Sequence, residues 1–250
     1  MLHSLSNKVV VIAGGAKNLG GLISRDFAQK GAKVVIHYHS DDAHTQAQQT
    51  AQDIINQGGE AVIFQSDLTR LENIQALFAF AKKHYGRVDI AINTVGKVLR
   101  KPIVETSEAE YDDMFATNAK SAYFFMQEAG KQLSDNGKII TILTSLLAAF
   151  TGEYALYAGS KAAVEHFTRA AAKEFSYRGI SVVSVAPGPM DTPFFYGQET
   201  PERVMYHKSQ AMGNQLTQIE DIAPIVQFLA TDGWWITGQT IFANGGYTTR

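Results

Sequence analysis

The sequence predicts an α/β fold: one domain built on a doubly wound parallel sheet of about seven strands, with helices on both faces. Three observations predict it. Short β-branched runs alternate with longer segments of helical spacing, and several of those runs are apolar throughout. Uninterrupted apolarity marks a strand covered on both faces, and repeated βα units need right-handed crossovers that place helices on each side. No Pro/Gly/Ser-rich linker or internal repeat breaks the pattern, so the 250 residues read as a single domain.

The strand candidates are 9–13, 33–37, 61–65, 88–93, 138–143 and 180–186, with a last one near 240–243. The helical candidates between them are 19–29, 43–56, 71–84, 107–133, 154–177 and 219–229. The irregular stretch runs from Pro187 to about Gly213 and carries Phe194, Phe195, Tyr196, Met205, Tyr206 and Met212. Ligands bind at the carboxyl ends of such strands, so an aromatic and Met-rich insert there, at about 188–213, reads as a cover over the substrate crevice.

Composition narrows the function classes. The chain is 45% hydrophobic and 18% charged with a formal net charge of −2, which gives no electrostatic footprint for nucleic acid or an acidic membrane. Cysteine is absent, which excludes disulfides, thiolate metal sites and cysteine nucleophiles. The N-terminal apolar run is too short for a signal peptide, and no stretch approaches the ~18 apolar residues of a bilayer span. A cytoplasmic protein is expected.

Strand one runs into Gly14-Gly15-Ala16-Lys17-Asn18-Leu19-Gly20-Gly21, and a helix follows. Glycines let the backbone turn sharply beside a pyrophosphate, and the helix start offers free N–H groups and a positive dipole end. A Rossmann-type dinucleotide site is the expectation, with Gly14, Lys17, Asn18, Leu19 and Gly20 against the cofactor. The spacing is G-x-x-x-N-x-G; asparagine tolerates left-handed backbone angles better than most residues. This segment resembles the fingerprint T-G-x-x-x-G-x-G of the short-chain dehydrogenase/reductase family, with Ala13 in place of the threonine and Asn18 in place of the middle glycine.

An NAD site usually carries an acid at the end of strand two, about 20 residues on. Here Tyr38 stands there, and Asp41 and Asp42 come later. With no acid to repel it, a 2′-phosphate has Lys17, His39 and Ser40 as partners, so NADP(H) is favoured over NAD(H). His37 and His39 share a strand face, but no third ligand is evident and no metal is expected. Further resemblances follow in chain order. Asp67-Leu68 matches the adenine-binding D-[VL], and Asn93-Thr94-Val95-Gly96 matches N-N-A-G with two departures. Pro187-Gly188 and Thr192 match P-G-x-x-x-T, whose threonine grips the nicotinamide carboxamide.

Tyr157 and Lys161 lie four apart at the start of a helical pattern, on one face. A nearby ammonium favours the phenolate, so it lowers the tyrosine pKa toward a useful range. A hydroxyl at the end of strand five points into the same crevice. Ser145 lies twelve residues before Tyr157 and Thr144 thirteen. The family spacing is thirteen, whereas strand phase favours Ser145, which is taken as the catalytic hydroxyl. Asn118 matches the family's helix asparagine, which supports a proton relay to the lysine.

These resemblances extend from about Lys8 to Gly246. They imply hydride transfer between a nicotinamide and a carbonyl or alcohol, in the direction of ketone or aldehyde reduction, with catalytic residues Asn118, Ser145, Tyr157 and Lys161. Tyr157 and Lys161 also contact the cofactor. The family implies a homo-oligomer, commonly a tetramer. The alternatives are an NAD-linked alcohol dehydrogenase and a nucleotide-binding regulatory protein without catalysis. Enoyl reduction is disfavoured because related enoyl reductases space the Tyr and Lys more widely.

Overall fold

The computed structural model describes residues 4–249. Its strands are β1 (Val9–Ala13), β2 (Lys33–Tyr38), β3 (Glu60–Gln65), β4 (Ile90–Asn93), β5 (Lys138–Ile142), β6 (Ser181–Pro187) and β7 (Thr240–Ala243). They form one sheet in the order β3-β2-β1-β4-β5-β6-β7, with every pair parallel. The chain winds outward from β1 to β3, then crosses back and winds the other way from β4 to β7. The switch lies where Ala13 of β1 pairs with Asn93 of β4.

The apolar runs follow from two dry faces. Val10 and Ile12 of β1 pack with Ile23 and Phe27 of α1 (Asn18–Gln29), Ala47 and Ile54 of α2 (His44–Asn56), and Ile222 and Val226 further along the chain. Val11 and Ala13 point the other way. They meet Leu77 and Phe78 of α3 (Leu71–Tyr85), together with Phe125 and Val164.

The segment 107–133, expected as one helix, is α4 (Glu108–Phe115), a π-helical turn (Ala116–Lys120) and α5 (Ser121–Gln132). Ser107 and Glu110 cap its start reciprocally. A π turn adds a residue without ending the apolar pattern, so periodicity alone does not register it. The segment 154–177 is α6 (Ala155–Glu174) followed by a 3₁₀ turn, Ser176–Arg178, closed by Gly179 at φ 67°.

β4 begins at Ile90, two residues later than expected. The buried Asp89 side chain accepts a hydrogen bond from the Val9 N–H (3.0 Å) and from Arg87 (2.9 Å), so a carboxylate takes over where the ladder would start. The irregular stretch holds α7 (Pro193–Tyr196) and α8 (Pro201–Ser209), each opening with a proline at its first turn. The last helix, α9 (Ile219–Ala230), carries Ile222 and Val226. Among the described residues no helix is long and apolar enough to cross a membrane.

Candidate active site

Loops leaving β1 and β4 diverge at the switch, and the glycine turn sits there. Gly14 has φ 76°, and Asn18 takes the left-handed region at φ 48°, the tolerance its side chain allows. Gly20 lets α1 close on the loop: a Cβ there would lie 2.1 Å from the Gly14 carbonyl oxygen. Thr94, a departure from the family pattern, ties the two loops together. Its hydroxyl donates to the Ala13 carbonyl at 2.8 Å.

His37 is buried beneath this turn. Burial pushes its pKa down to about 4, so the ring is neutral at pH 7. Its Nδ1 accepts from the Gly14 N–H at 3.3 Å, and its Nε2 faces the Ser66 carbonyl at 2.9 Å and donates to it. The ring therefore fastens the glycine turn to the end of β3. No cluster that could hold a metal occurs among the described residues.

A cleft runs along the carboxyl ends of β1, β2 and β4. It is lined by Gly14, Lys17, Asn18, Leu19 and Gly20, by Tyr38, His39 and Ser40, and by Gly96, Lys161, Tyr157 and Thr192. Among the described residues no acidic side chain lines it. Tyr38 stands at the end of β2, and Asp41 is engaged by the Gln65 side chain at 2.7 Å. Asp67 and Leu68 are not among the lining residues. Leu68 is buried in the core, and the Asp67 carboxylate accepts from the Thr69 N–H (2.9 Å) and hydroxyl (2.8 Å). Asn93 is buried and accepts from the Val95 N–H at 2.9 Å, so it shapes the loop from beneath.

Asn118 sits in the π turn, fully buried. Its side chain accepts from the Lys97 N–H (2.8 Å) and donates to the Lys97 carbonyl (2.9 Å) and to Ser160 Oγ (3.0 Å). Ser160 in turn donates to the Tyr157 carbonyl at 2.7 Å. The widened turn thus locks the loop after β4 to the first turn of α6. Gly96 makes room for the lysine: a Cβ there would lie 3.0 Å from Lys161 Nζ. Lys161 Nζ donates to the Ile142 carbonyl at the end of β5 (3.1 Å), and burial pushes its pKa down to about 8.

Thr144 and Ser145 both line the space beside Tyr157, in different backbone settings. The Thr144 hydroxyl is the one that acts on the Tyr157 phenol, favouring a lower pKa. The expectation for Ser145 extended strand alternation one residue too far. β5 ends at Ile142, and Ser145 opens a 3₁₀ turn, Ser145–Ala148, so strand phase no longer applies there. The thirteen-residue spacing was the signal that pointed to Thr144. Burial pushes the Tyr157 pKa up to about 12, against the smaller lowering by Thr144. The expected depression by an ammonium is not among the influences on this phenol, which burial dominates.

Tyr157 forms part of the wall between two spaces. On one side is the cleft; on the other is an apolar cavity lined by Thr144, Ser145, Leu146, Tyr154, Phe195 and Tyr247, among others. Pro187 and Gly188 line this second cavity and not the cleft. Phe194 of α7 borders both, its ring centroid 6.4 Å from that of Tyr157. His207 is buried at the far wall beside Glu199. Only the folded loops bring those two together.

A family model described as enoyl-(acyl carrier protein) reductase matches residues 14–248. The chain belongs to the short-chain dehydrogenase/reductase family. It is 34% identical to a hydroxynaphthalene reductase-like protein of Metarhizium brunneum, covering 99% of this chain and 97% of that one. It is 32% identical to an NADPH-dependent aldehyde reductase-like chloroplastic protein of Arabidopsis thaliana, covering 97% and 95%. Among solved structures, a Burkholderia cenocepacia protein with bound NADP is 60% identical with a TM-score of 0.97, covering 99% of this chain and 96% of that one.

As a short-chain dehydrogenase/reductase the protein is an oxidoreductase with a nucleotide cofactor. The glycine cradle fits such a group, because only hydrogen at residue 20 allows the loop to close. Gly20→Ala should therefore weaken NADPH binding by about tenfold or more, read by fluorescence titration with circular dichroism as the folding control. Unchanged affinity in a folded variant would remove Gly20 from the cofactor site.

Proposed function

We propose that the protein is an NADP(H)-preferring carbonyl reductase acting on ketones or aldehydes. The observation that carries this reading is Tyr157 at the junction of the cleft and the apolar cavity, with Lys161 on the cleft side and Thr144 on the cavity side. Two ligands placed in these spaces meet at one phenol.

When bound, reduced nicotinamide supplies the hydride. The chain's own residues handle the oxygen and the proton. Tyr157, held protonated by burial, gives its proton to the oxygen of the reduced carbonyl, and Thr144 donates a hydrogen bond that orients that oxygen. Thr144 takes the part expected of Ser145. Lys161 holds the cofactor ribose, and Asn118 positions the Lys97 loop and α6. Thr192, near the junction, suits the nicotinamide carboxamide. Pro187 and Gly188 shape the substrate side. The segment 188–213 covers the substrate.

Lys17, His39 and Ser40 line the cleft, and no carboxylate is among the described residues lining it, which supports NADP over NAD. The bound NADP of the B. cenocepacia relative supports the same choice. Enoyl reduction enters through the name of the matching family model. The four-residue spacing of Tyr157 and Lys161 disfavours it. Exposed aromatic side chains, Tyr111 on α4 and Tyr123 on α5, together with the family's habit, support a homo-oligomer, with a tetramer as the form to test.

The deciding experiment offers NADPH and NADH with ketone, aldehyde and enoyl-thioester panels. Turnover of carbonyls with NADPH is expected, and Lys17→Ala should raise the KM for NADPH about tenfold while leaving NADH nearly unaffected. Reduction of enoyl substrates alone, or equal use of both cofactors, would overturn the reading.

Thr144→Val should lower kcat by about 100-fold, whereas Ser145→Ala should stay within about threefold. The reverse order would restore the Ser145 register. Tyr157→Phe should lose at least as much as Thr144→Val.

The pH profile follows from burial. A buried ammonium has a folded pKa below its ordinary value, so Lys161 is charged at low pH and loses its proton as pH rises through about 8. Tyr157 stays protonated over that range. Carbonyl reduction by kcat/KM should be level below pH 8 and fall above it. A profile that rises there would contradict Lys161 acting as a cation.

A further inference from the structure

The far wall of the apolar cavity is polar, and its hydrogen-bond directions are fixed by chemistry. Glu199 lies between α7 and α8 with its side chain fully buried. Its carboxylate accepts from the Tyr154 hydroxyl and from Arg203 Nε at 2.7 Å, and Arg100 lies 3.8 Å away. Burial opposes the charge, but these hydrogen bonds and the neighbouring cations outweigh it and hold the carboxyl below its ordinary range. Glu199 is therefore ionised and can only accept.

His207 Nε2 is 3.2 Å from Glu199 Oε1. Burial lowers the His207 pKa despite Glu199, so the ring is neutral at pH 7 with one N–H. That N–H must sit on Nε2, facing the carboxylate. Nδ1 is then an acceptor, and the Tyr247 hydroxyl 2.7 Å away donates to it. Tyr247 has a single hydrogen, and His207 holds it. What remains on the phenol oxygen is lone pairs, made more electron-rich by the chain running back to a carboxylate. Phe195 stands edge-on to His207 at 5.4 Å and keeps the imidazole in place.

Tyr247, His207 and Glu199 line the same cavity as Tyr157 and Thr144, and much of the rest of its lining is apolar, including Val98, Leu146, Met190 and Phe194, with Ser145, Thr192 and Gln198 as further polar members. We propose that the Tyr247 oxygen is an acceptor-only subsite for substrate, so that the preferred substrate is an apolar ketone carrying a hydroxyl donor away from its reacting carbonyl. This rests on the carbonyl-reductase reading and adds to it the class of substrate. A group with a free acceptor lone pair favours a substrate that can donate to it over an analogue that cannot.

The test uses wild-type protein, NADPH and a positional set of hydroxy-1-tetralones, each paired with its methyl ether. At least one hydroxy isomer should exceed its ether by about tenfold in kcat/KM. In Tyr247→Phe that ratio should fall toward one. No preference in any pair, or a preference that survives Tyr247→Phe, overturns the subsite. The wild-type comparison needs no variant, so it decides even where Tyr247→Phe does not fold. Turnover of simple ketones with none for any hydroxy-ketone overturns the subsite alone. Absence of turnover with every carbonyl overturns the underlying reading and the subsite with it.

Discussion

With both faces of a parallel sheet dry, the polar ends of the strands are where chemistry can gather. Here the two windings part at the Ala13–Asn93 pair, and each neighbouring strand contributes one support at that edge. β1 delivers the glycine turn. β4 delivers Asn93 and the Thr94 hydroxyl that ties that turn back to Ala13. The end of β5 delivers the Ile142 carbonyl that receives Lys161, and just beyond it lies Thr144 beside Tyr157. The relative positions of the cleft and of Thr144, Tyr157 and Lys161 therefore follow from sheet order. The helices add the side chains, and the sheet decides where they meet.

Burial then determines how those side chains titrate. It raises the phenol and lowers the ammonium, so it favours the neutral form of both. Lys161 directs its Nζ at the Ile142 carbonyl, and desolvation remains the larger influence on Tyr157. A phenol kept protonated suits a proton donor better than a base. The same environment makes the pair costly to ionise.

Much of this was legible in the sequence. The apolar runs mark the strands because double-sided burial leaves its trace in composition, and the glycine turn marks itself because only certain residues fit its backbone. The Tyr157–Lys161 pair is local, four residues apart on one helix. What could not be read depends on small shifts or distant contacts. The Thr144 register turns on where β5 stops, which periodicity resolves only to within a residue or two. The π turn around Asn118 hides inside an unbroken apolar pattern. His37 reads as a stray strand histidine, since its partners Gly14 and Ser66 lie on either side of the next strand gap and neither carries a side-chain signal. Asp67 accepts from the Thr69 N–H and Leu68 packs into the core, contacts that no sequence pattern registers.

The cover above the cavity illustrates how a distant cluster can decide geometry. Phe194, Tyr196, Met205 and Tyr206 are substantially exposed, so apolar packing does not account for how α7 and α8 are held. Glu199 supplies the fixing point. It joins Arg203 of α8 and His207 to Tyr154 at the threshold of α6 and to Arg100 on the loop beyond β4. Tyr154 stands three residues before Tyr157, on the same opening turn of α6. Glu199, α8 and Tyr157 are therefore tied to one short stretch of backbone. A buried carboxylate between two guanidiniums is an expensive way to hold a loop. Its use here is explained by direction: an ion held by hydrogen bonds fixes orientation, which an apolar contact of the same area would leave free.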